Sequence, residues 1–201
     1  LIYDTETGNV KRIMDLCEPR SYHTMVYNDA FETIMVLGGE LSNTVEIFDP
    51  LTNRWQNLPL LNVPRANPNF YFDKPRGIMY TLFGIEGEYK KGKYTDIIEF
   101  FDLEEKEKGW NILDYENKSQ ADLKSMVKIY PLNSDILLLY GGISFRSSGK
   151  ALVLLDIPRM EVVNIDNETL EMLKIESRRN KTLFNIISAS ASAASLNNQK
   201  L

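Results

Sequence analysis

Few residues in this sequence combine the types and spacing that catalysis or metal binding requires. The chain of 201 residues contains one histidine, His23, and one cysteine, Cys17. Because a zinc site takes three or four ligands, mostly Cys and His, no zinc site is predicted. Cys17 has no base close to it in the sequence and is expected to be an unreactive thiol. His23 is interpreted as a structural residue of a strand, and no cofactor is expected.

An aspartate recurs along the chain, each time directly after an aromatic or apolar residue. An aspartate follows an aromatic or apolar residue in the pairs Tyr3-Asp4, Phe48-Asp49, Phe101-Asp102 and Leu155-Asp156. Such a set could hold a metal or transfer protons. Aspartate also hydrogen-bonds nearby backbone in turns. That role fits a residue that returns in every copy better than a catalytic site does, so these aspartates are predicted to cap turns.

One glycine-rich stretch, "GGISFRSSGKA", invites comparison with a phosphate-binding loop. That loop has four residues between its glycines and then Lys followed by Ser or Thr. Here six residues separate Gly142 from Gly149, and Ala151 follows Lys150. Both the spacing and the magnesium ligand are wrong, so an ordinary loop between strands is the preferred interpretation.

Composition sets the broad class of the protein. The net charge is −5 and 43% of the residues are hydrophobic, which is usual for a folded domain. An acidic chain is a poor partner for nucleic acid, which requires a basic face. No apolar run reaches the roughly 18 residues of a membrane span. A single cysteine excludes an internal disulfide and favours a reducing, cytoplasmic location.

The recurring aspartate also marks an internal repeat. The residues before it, at positions 3, 48, 101 and 155, are spaced by 45, 53 and 54 residues, a mean of about 51. An apolar residue follows seven positions later as Val10, Trp55 and Val162, and after two inserted residues as Trp110. A regular period of this length indicates an array of similar structural units.

Glycines and a Pro-Arg pair recur at further fixed points of the repeat. The runs "MVLGGE", "YTLFGIEG" and "LLLYGGIS" each consist of β-forming residues that end in glycine. Pro19-Arg20 and Pro64-Arg65 each precede a new run of β-formers. The turn residues Asn28-Asp29 separate two such runs, which predicts a β-hairpin that ends at Gly38-Gly39.

Together these residues resemble the kelch repeat, a four-stranded blade of a β-propeller. The stretch from Pro19 to Trp55 matches most closely, whereas the third copy has Phe83-Gly84 in place of Gly-Gly and the fourth has Leu155 and Val162 in place of the aromatics. The resemblance implies an all-β fold with about three full blades and partial blades over residues 1–175. Residues 176–201 are expected to hold a degenerate strand and a Ser/Ala-rich tail. Propellers have four to eight blades, so the remaining blades are expected from the rest of a longer chain.

The repeated residues are predicted to have structural roles. Glycine allows positive φ and a close approach of two backbones, and large aromatics would fill the space between blades. The predicted structural set is Gly38, Gly39, Phe48, Trp55, Gly84, Phe101, Trp110, Gly141 and Gly142.

The resemblance implies a protein-binding module that is not an enzyme. The expected role is a scaffold or subunit of a large assembly, with the cytoskeleton or a cilium as an expected location. Two alternatives stay open: the substrate receptor of a ubiquitin ligase, and an enzyme whose active residues lie in blades outside this segment.

Loops at one end of the blades are the expected binding surface, because loops carry function on a rigid frame. The loops that follow the glycines span residues 40–44, 86–95 and 144–150. The residues predicted to contact a partner protein are Glu40, Ser42, Glu88, Lys90, Phe145 and Arg146.

Overall fold

The computed structural model describes residues 1–29, 31–115, 125–142, 152–158 and 161–164. Over these residues the chain consists of antiparallel β-strands and a one-turn 3₁₀ helix, Lys106–Lys108, which confirms the predicted all-β class. No helix in this part of the chain has the length and apolar character needed to cross a membrane. The predicted tail, residues 176–201, and the loop residues Phe145 and Arg146 lie outside the described residues.

Within the described ranges, three four-stranded sheets follow one another along the chain, each with its strands in antiparallel order. A short pair, β1 (Ile2–Tyr3) and β2 (Val10–Lys11), precedes them. The first sheet contains β3 (Thr24–Asn28), β4 (Thr33–Leu37), β5 (Val45–Asp49) and β6 (Arg54–Leu58). The second contains β7 (Asn69–Asp73), β8 (Ile78–Leu82), β11 (Ile98–Asp102) and β12 (Asn111–Leu113). The third contains β13 (Val127–Pro131), β14 (Ile136–Gly141), β15 (Leu152–Asp156) and β16 (Glu161–Asn164).

A small hairpin explains why the second interval of the repeat is longer than the first. The strands β9 (Ile85–Glu86) and β10 (Lys93–Tyr94) pair with each other between β8 and β11. The connection from β8 to β11 is therefore eight residues longer than the connection from β4 to β5. This insertion lengthens the repeat from 45 to 53 residues without changing the sheet.

The recurring aspartates do cap turns where the structure describes their contacts. The Oδ1 atom of Asp4 accepts hydrogen bonds from the Glu6 and Thr7 amides, at 2.9 and 3.0 Å. Asp49 and Asp102 accept a bond from the amide two residues later, each at 2.8 Å. The bonds from Thr52 and Leu51 lower the pKa of Asp49. The carboxylates thus lie in turns at the ends of successive sheets, where they accept hydrogen bonds from the protein's own backbone.

The sheets pack face to face, with their first strands side by side. β3 contacts β7, and β7 contacts β13. One apolar cluster lies between the first and second sheets and another between the second and third. Successive side chains of a strand point to opposite faces, so Met79 of β8 joins the first cluster and its neighbour Tyr80 joins the second. The second sheet therefore buries both of its faces.

The predicted aromatic pairs occupy equivalent places on two of the sheets. Phe48 and Trp55 have ring centroids 5.0 Å apart, and Phe101 and Trp110 have centroids 5.4 Å apart. Trp110 is 5% exposed and packs in the cluster between the first and second sheets. Trp55 is only half-buried, and its Nε1 donates to the Met14 carbonyl at 3.0 Å. The difference arises because Trp55 faces the segment around β1 and β2, which is a smaller neighbour than a full sheet.

The glycine that follows the second strand of the first sheet has a positive φ, and the second sheet has the same conformation with a phenylalanine in that position. Gly38 has φ of 64°, and a Cβ there would lie 2.6 Å from the Arg65 carbonyl oxygen. Phe83 takes the equivalent position, with φ of 58° and a fully buried ring. A left-handed residue costs about 1–2 kcal/mol, whereas burying a Phe side chain contributes about 1.5–3 kcal/mol. Burial of the ring therefore offsets the backbone strain.

The two tryptophans should differ in their contribution to stability. Trp110→Ala is expected to lower the free energy of unfolding by about 3–5 kcal/mol, because it leaves a cavity between two sheets. Trp55→Ala serves as the matched control and should cost roughly 1–2 kcal/mol, since that ring is only half-buried. Urea denaturation followed by fluorescence and circular dichroism measures both. Equal losses for the two variants would contradict this packing.

Candidate functional site

Two buried ion pairs lie at the end of the sheets where the glycines are found. Arg20 pairs with Glu46, and Arg65 pairs with Glu99. All four side chains are at most 1% exposed. Burial lowers the pKa of the Arg65 guanidinium, and the carboxylate of Glu99 opposes that change. A buried charge is tolerated only when it is paired and hydrogen-bonded. Both pairs are, although Nε of Arg20 has no hydrogen-bond partner among the described residues.

In the first and second sheets, an arginine binds both ends of the loop between the second and third strands. The Nη1 atom of Arg20 donates to the carbonyls of Gly38 and Thr44, at 3.0 and 3.1 Å. The Nη1 atom of Arg65 donates to the carbonyls of Phe83 and Ile97, at 3.1 and 2.8 Å. Each loop therefore begins and ends at one guanidinium.

The glutamates fasten the segment that precedes each arginine. Glu46 accepts bonds from the Cys17 and Glu18 amides, at 2.6 and 3.3 Å. Glu99 accepts bonds from the Asn62 and Val63 amides, at 2.6 and 3.2 Å. In each of these two repeats, one Arg–Glu pair thus joins three separate stretches of chain.

Sequence reasoning found the arginines but missed the glutamates. The signal was present, because Glu46 and Glu99 each stand two residues before the aromatic of the anchor, Phe48 or Phe101. Alternating polar and apolar residues on a strand normally indicate a solvent-facing glutamate. Only the position of the arginine across the fold shows that these carboxylates are buried.

Above the ion pairs, two of the predicted binding loops come together. We call residues 20–23, 38–44 and 83–97 the loop cluster. The Tyr89 amide donates to Oε1 of Glu40 at 2.8 Å. The rings of Tyr22 and Tyr89 stack with centroids 4.0 Å apart and planes 13° apart. Tyr22 has φ of 54° and is 41% exposed. The loop cluster therefore presents a stacked tyrosine pair to solvent.

The residues predicted to contact a partner occupy different settings within the loop cluster. Glu40 and Ser42 are half-buried, and each holds the loops together; the Ser42 carbonyl accepts from the Arg65 amide at 3.2 Å. Glu88 and Lys90 are exposed, and Glu88 pairs with Lys91 at 2.7 Å. The loop of residues 144–150 lies outside the described residues, together with its predicted contacts Phe145 and Arg146.

A groove of about 400 Å³ runs beside the loop cluster where the first strands of the three sheets meet. Its lining comes from β3, β7 and β13 and the residues just before them, and it includes Thr24, Asn67, Phe70, Met126 and Lys128. Lys128 is the one ionisable residue among those that line it. Among the described residues, the groove thus offers hydrogen bonds and apolar contact and has no pair of acid and base of the kind that general acid–base catalysis uses.

The single histidine lies near the ion pairs and is half-buried. Burial, and to a smaller extent the charge of Arg20, lower the pKa of His23, so its ring is neutral near pH 7. Among the described residues, no group of three His, Cys, Asp or Glu side chains is placed to hold a metal ion.

Comparison with known proteins identifies the fold and no family. No family model matches the chain, and no curated protein matches it. Among solved structures, YjhT matches with a TM-score of 0.59 and 13% sequence identity. The match covers 76% of this chain and 53% of YjhT, so this chain spans about half the length of that protein. At this identity the likeness concerns the fold alone.

Breaking one ion pair should destabilise the fold strongly. Glu99→Gln keeps the size of the side chain but leaves the buried Arg65 without a counter-charge. We expect a loss of about 3–5 kcal/mol in the free energy of unfolding. Glu88→Gln removes a carboxylate from an exposed pair and should cost less than about 1 kcal/mol. Chemical denaturation of both variants at neutral pH measures the difference, and a Glu99→Gln loss as small as the control would refute the role of the pair.

Proposed function

We propose that this chain is part of a kelch-type β-propeller that binds another protein through its loop cluster and is not an enzyme. Three observations support the architecture: the repeat of about 51 residues in the sequence, the succession of four-stranded antiparallel sheets with adjacent first strands, and the fold shared with part of YjhT. In this arrangement each sheet is one blade, and the groove beside β3, β7 and β13 is part of the central channel.

The stacked pair of Tyr22 and Tyr89 is the observation that carries the binding function. Tyrosine is enriched at the centres of protein interfaces, where it contributes a large area of contact at a small cost in side-chain entropy. Each ring is restrained by stacking on the other. The bond from the Tyr89 amide to Glu40 also holds the backbone of Tyr89 in place. The pair is therefore preorganised, and binding would lose little further freedom.

Charged side chains surround this aromatic centre. The hairpin of β9 and β10 contributes the salt bridges Glu88–Lys91 and Glu86–Lys93, at 2.7 and 3.1 Å, and the exposed Lys90. An aromatic centre with a polar, solvent-accessible rim is the usual anatomy of a protein interface. Both signs of charge are present, so the rim would orient a partner with its own mixed charges.

The wider role is proposed to be that of a scaffold or subunit of a large assembly in the cytoplasm, with a cytoskeletal or ciliary assembly as the expected setting. The groove supports a binding role over an enzymatic one because the described part of its lining contains one ionisable side chain, Lys128. Further blades from a longer chain would complete the propeller.

Removing the tyrosine pair should weaken binding to the partner at least tenfold. The test uses a Tyr22→Ser, Tyr89→Ser double variant of the full-length protein, purified from its native cells. We expect the amount of co-purified specific partner to fall at least tenfold. The matched control is Tyr27→Ser, which removes a tyrosine that is 60% exposed on β3 outside the loop cluster. Quantitative mass spectrometry of the co-purified proteins, with circular dichroism to verify folding, makes the comparison.

Two results would count against the proposal. If the double variant and the control retained the same proteins in the same amounts, the loop cluster would not be the interface. If the unaltered protein purified alone from native cells and turned over a substrate in an activity screen, the enzymatic alternative would replace the scaffold.

A further inference from the structure

A second cavity lies at the opposite end of the sheets from the loop cluster, between the first and second sheets. Its volume is about 260 Å³. The walls are mostly apolar, with Met35, Ile47, Leu58, Met79, Phe101 and Leu103, and the buried Asn28 also lines the cavity. Phe31, which is 55% exposed, stands at the rim, with its ring centroid 6.3 Å from that of Phe72. The space is apolar in the interior and open to solvent at the turn between β3 and β4.

Two polar groups in the lining have unused hydrogen-bonding capacity. The Oγ1 atom of Thr33 is buried and has no hydrogen-bond partner in the part of the chain that the structure describes. Lys106 forms no salt bridge within the described part of the chain, although acidic residues flank it. The neighbouring Glu105 is already occupied by Lys108, at 2.6 Å. A buried hydroxyl without a partner costs free energy, so an acceptor placed in this cavity would gain a bond from Thr33, and the solvent-exposed Lys106 at the rim would supply a positive charge.

The equivalent interface between the second and third sheets shows why this cavity exists. In the first sheet Met35 is paired across the strands with Ile47, and Thr33 begins β4. In the second sheet Tyr80 is paired with Phe100, and Ile78 begins β8. These three larger side chains pack in the apolar cluster between the second and third sheets. The first sheet has smaller or more polar residues at the same three places, and space is left beside them.

We propose that this cavity binds a small monocarboxylate whose apolar body is one aromatic ring on a short chain. The ring would lie among the apolar walls, and the carboxylate would accept bonds from Nζ of Lys106 and Oγ1 of Thr33. An apolar cavity of about 150 Å³ is known to hold a single benzene, and drug-sized ligands take about 300–1,000 Å³. A volume of about 260 Å³ therefore suits one ring with a short acidic tail. The proposal concerns the other end of the sheets and does not rest on the proposed protein-binding function.

The test uses phenylpropionate as the probe and phenylpropanol as its uncharged control, with the full chain in each titration. Calorimetry and saturation-transfer NMR measure the affinity. We expect phenylpropionate to bind with Kd below about 1 mM and the alcohol at least tenfold more weakly. Lys106→Gln should remove this preference for the carboxylate, whereas Lys91→Gln, at the loop cluster, should leave it unchanged.

Variants taken from the second sheet test the location of the site. Ile47→Phe introduces the residue type of Phe100, and Thr33→Ile, made separately, introduces that of Ile78; both residues belong to the interface between the second and third sheets. Both should abolish probe binding and keep or raise the melting temperature, because they fill space with apolar volume. Full binding by either correctly folded variant, or no binding of phenylpropionate up to about 10 mM, would overturn the proposal. If Ile47→Phe does not fold, Thr33→Ile decides alone.

Discussion

The buried Arg–Glu pair is the interaction on which the loop end of this molecule depends. Each arginine bonds both ends of a loop, and each glutamate bonds the backbone of the segment that leads to the arginine. With the loop ends fixed in this way, the chain at Gly38 and Gly84 comes so close to its neighbour that a Cβ would lie 2.6 or 2.8 Å from a carbonyl oxygen. The glycine landmarks and the ion pairs are therefore two parts of one structural requirement.

Repetition explains how a constant frame supports different surfaces. The first two sheets share strand order, aromatic pair, aspartate cap and ion pair, but differ in what lies between these elements. The hairpin inserted after β8 brings Tyr89 onto Tyr22 and creates the aromatic centre of the loop cluster. At the other end, smaller residues on the first sheet leave a cavity that Tyr80 and Phe100 fill on the second. The two ends therefore differ in their surfaces while the frame of strands stays the same.

Much of the fold could be predicted from the sequence because its signals are local. Turn residues, alternating apolar strands and the recurring Asp49 and Asp102 gave the hairpins and their caps directly. The burial of Glu46 and the partial exposure of Trp55 could not be predicted, since each depends on which segment packs against it from far along the chain. The stacking of Tyr22 on Tyr89 could not be predicted either, because the two tyrosines are 67 positions apart in the sequence.

The most direct test of this account is amide hydrogen exchange, measured by NMR on the intact chain at neutral pH. Cys17 and Asn62 lie outside regular strands, but their amides bond buried carboxylates. The account predicts that they exchange on the order of a hundredfold more slowly than the Leu51 amide, whose bond to Asp49 is exposed. Exchange of all three at the same fast rate would show that the Arg–Glu pairs do not hold the loop end together.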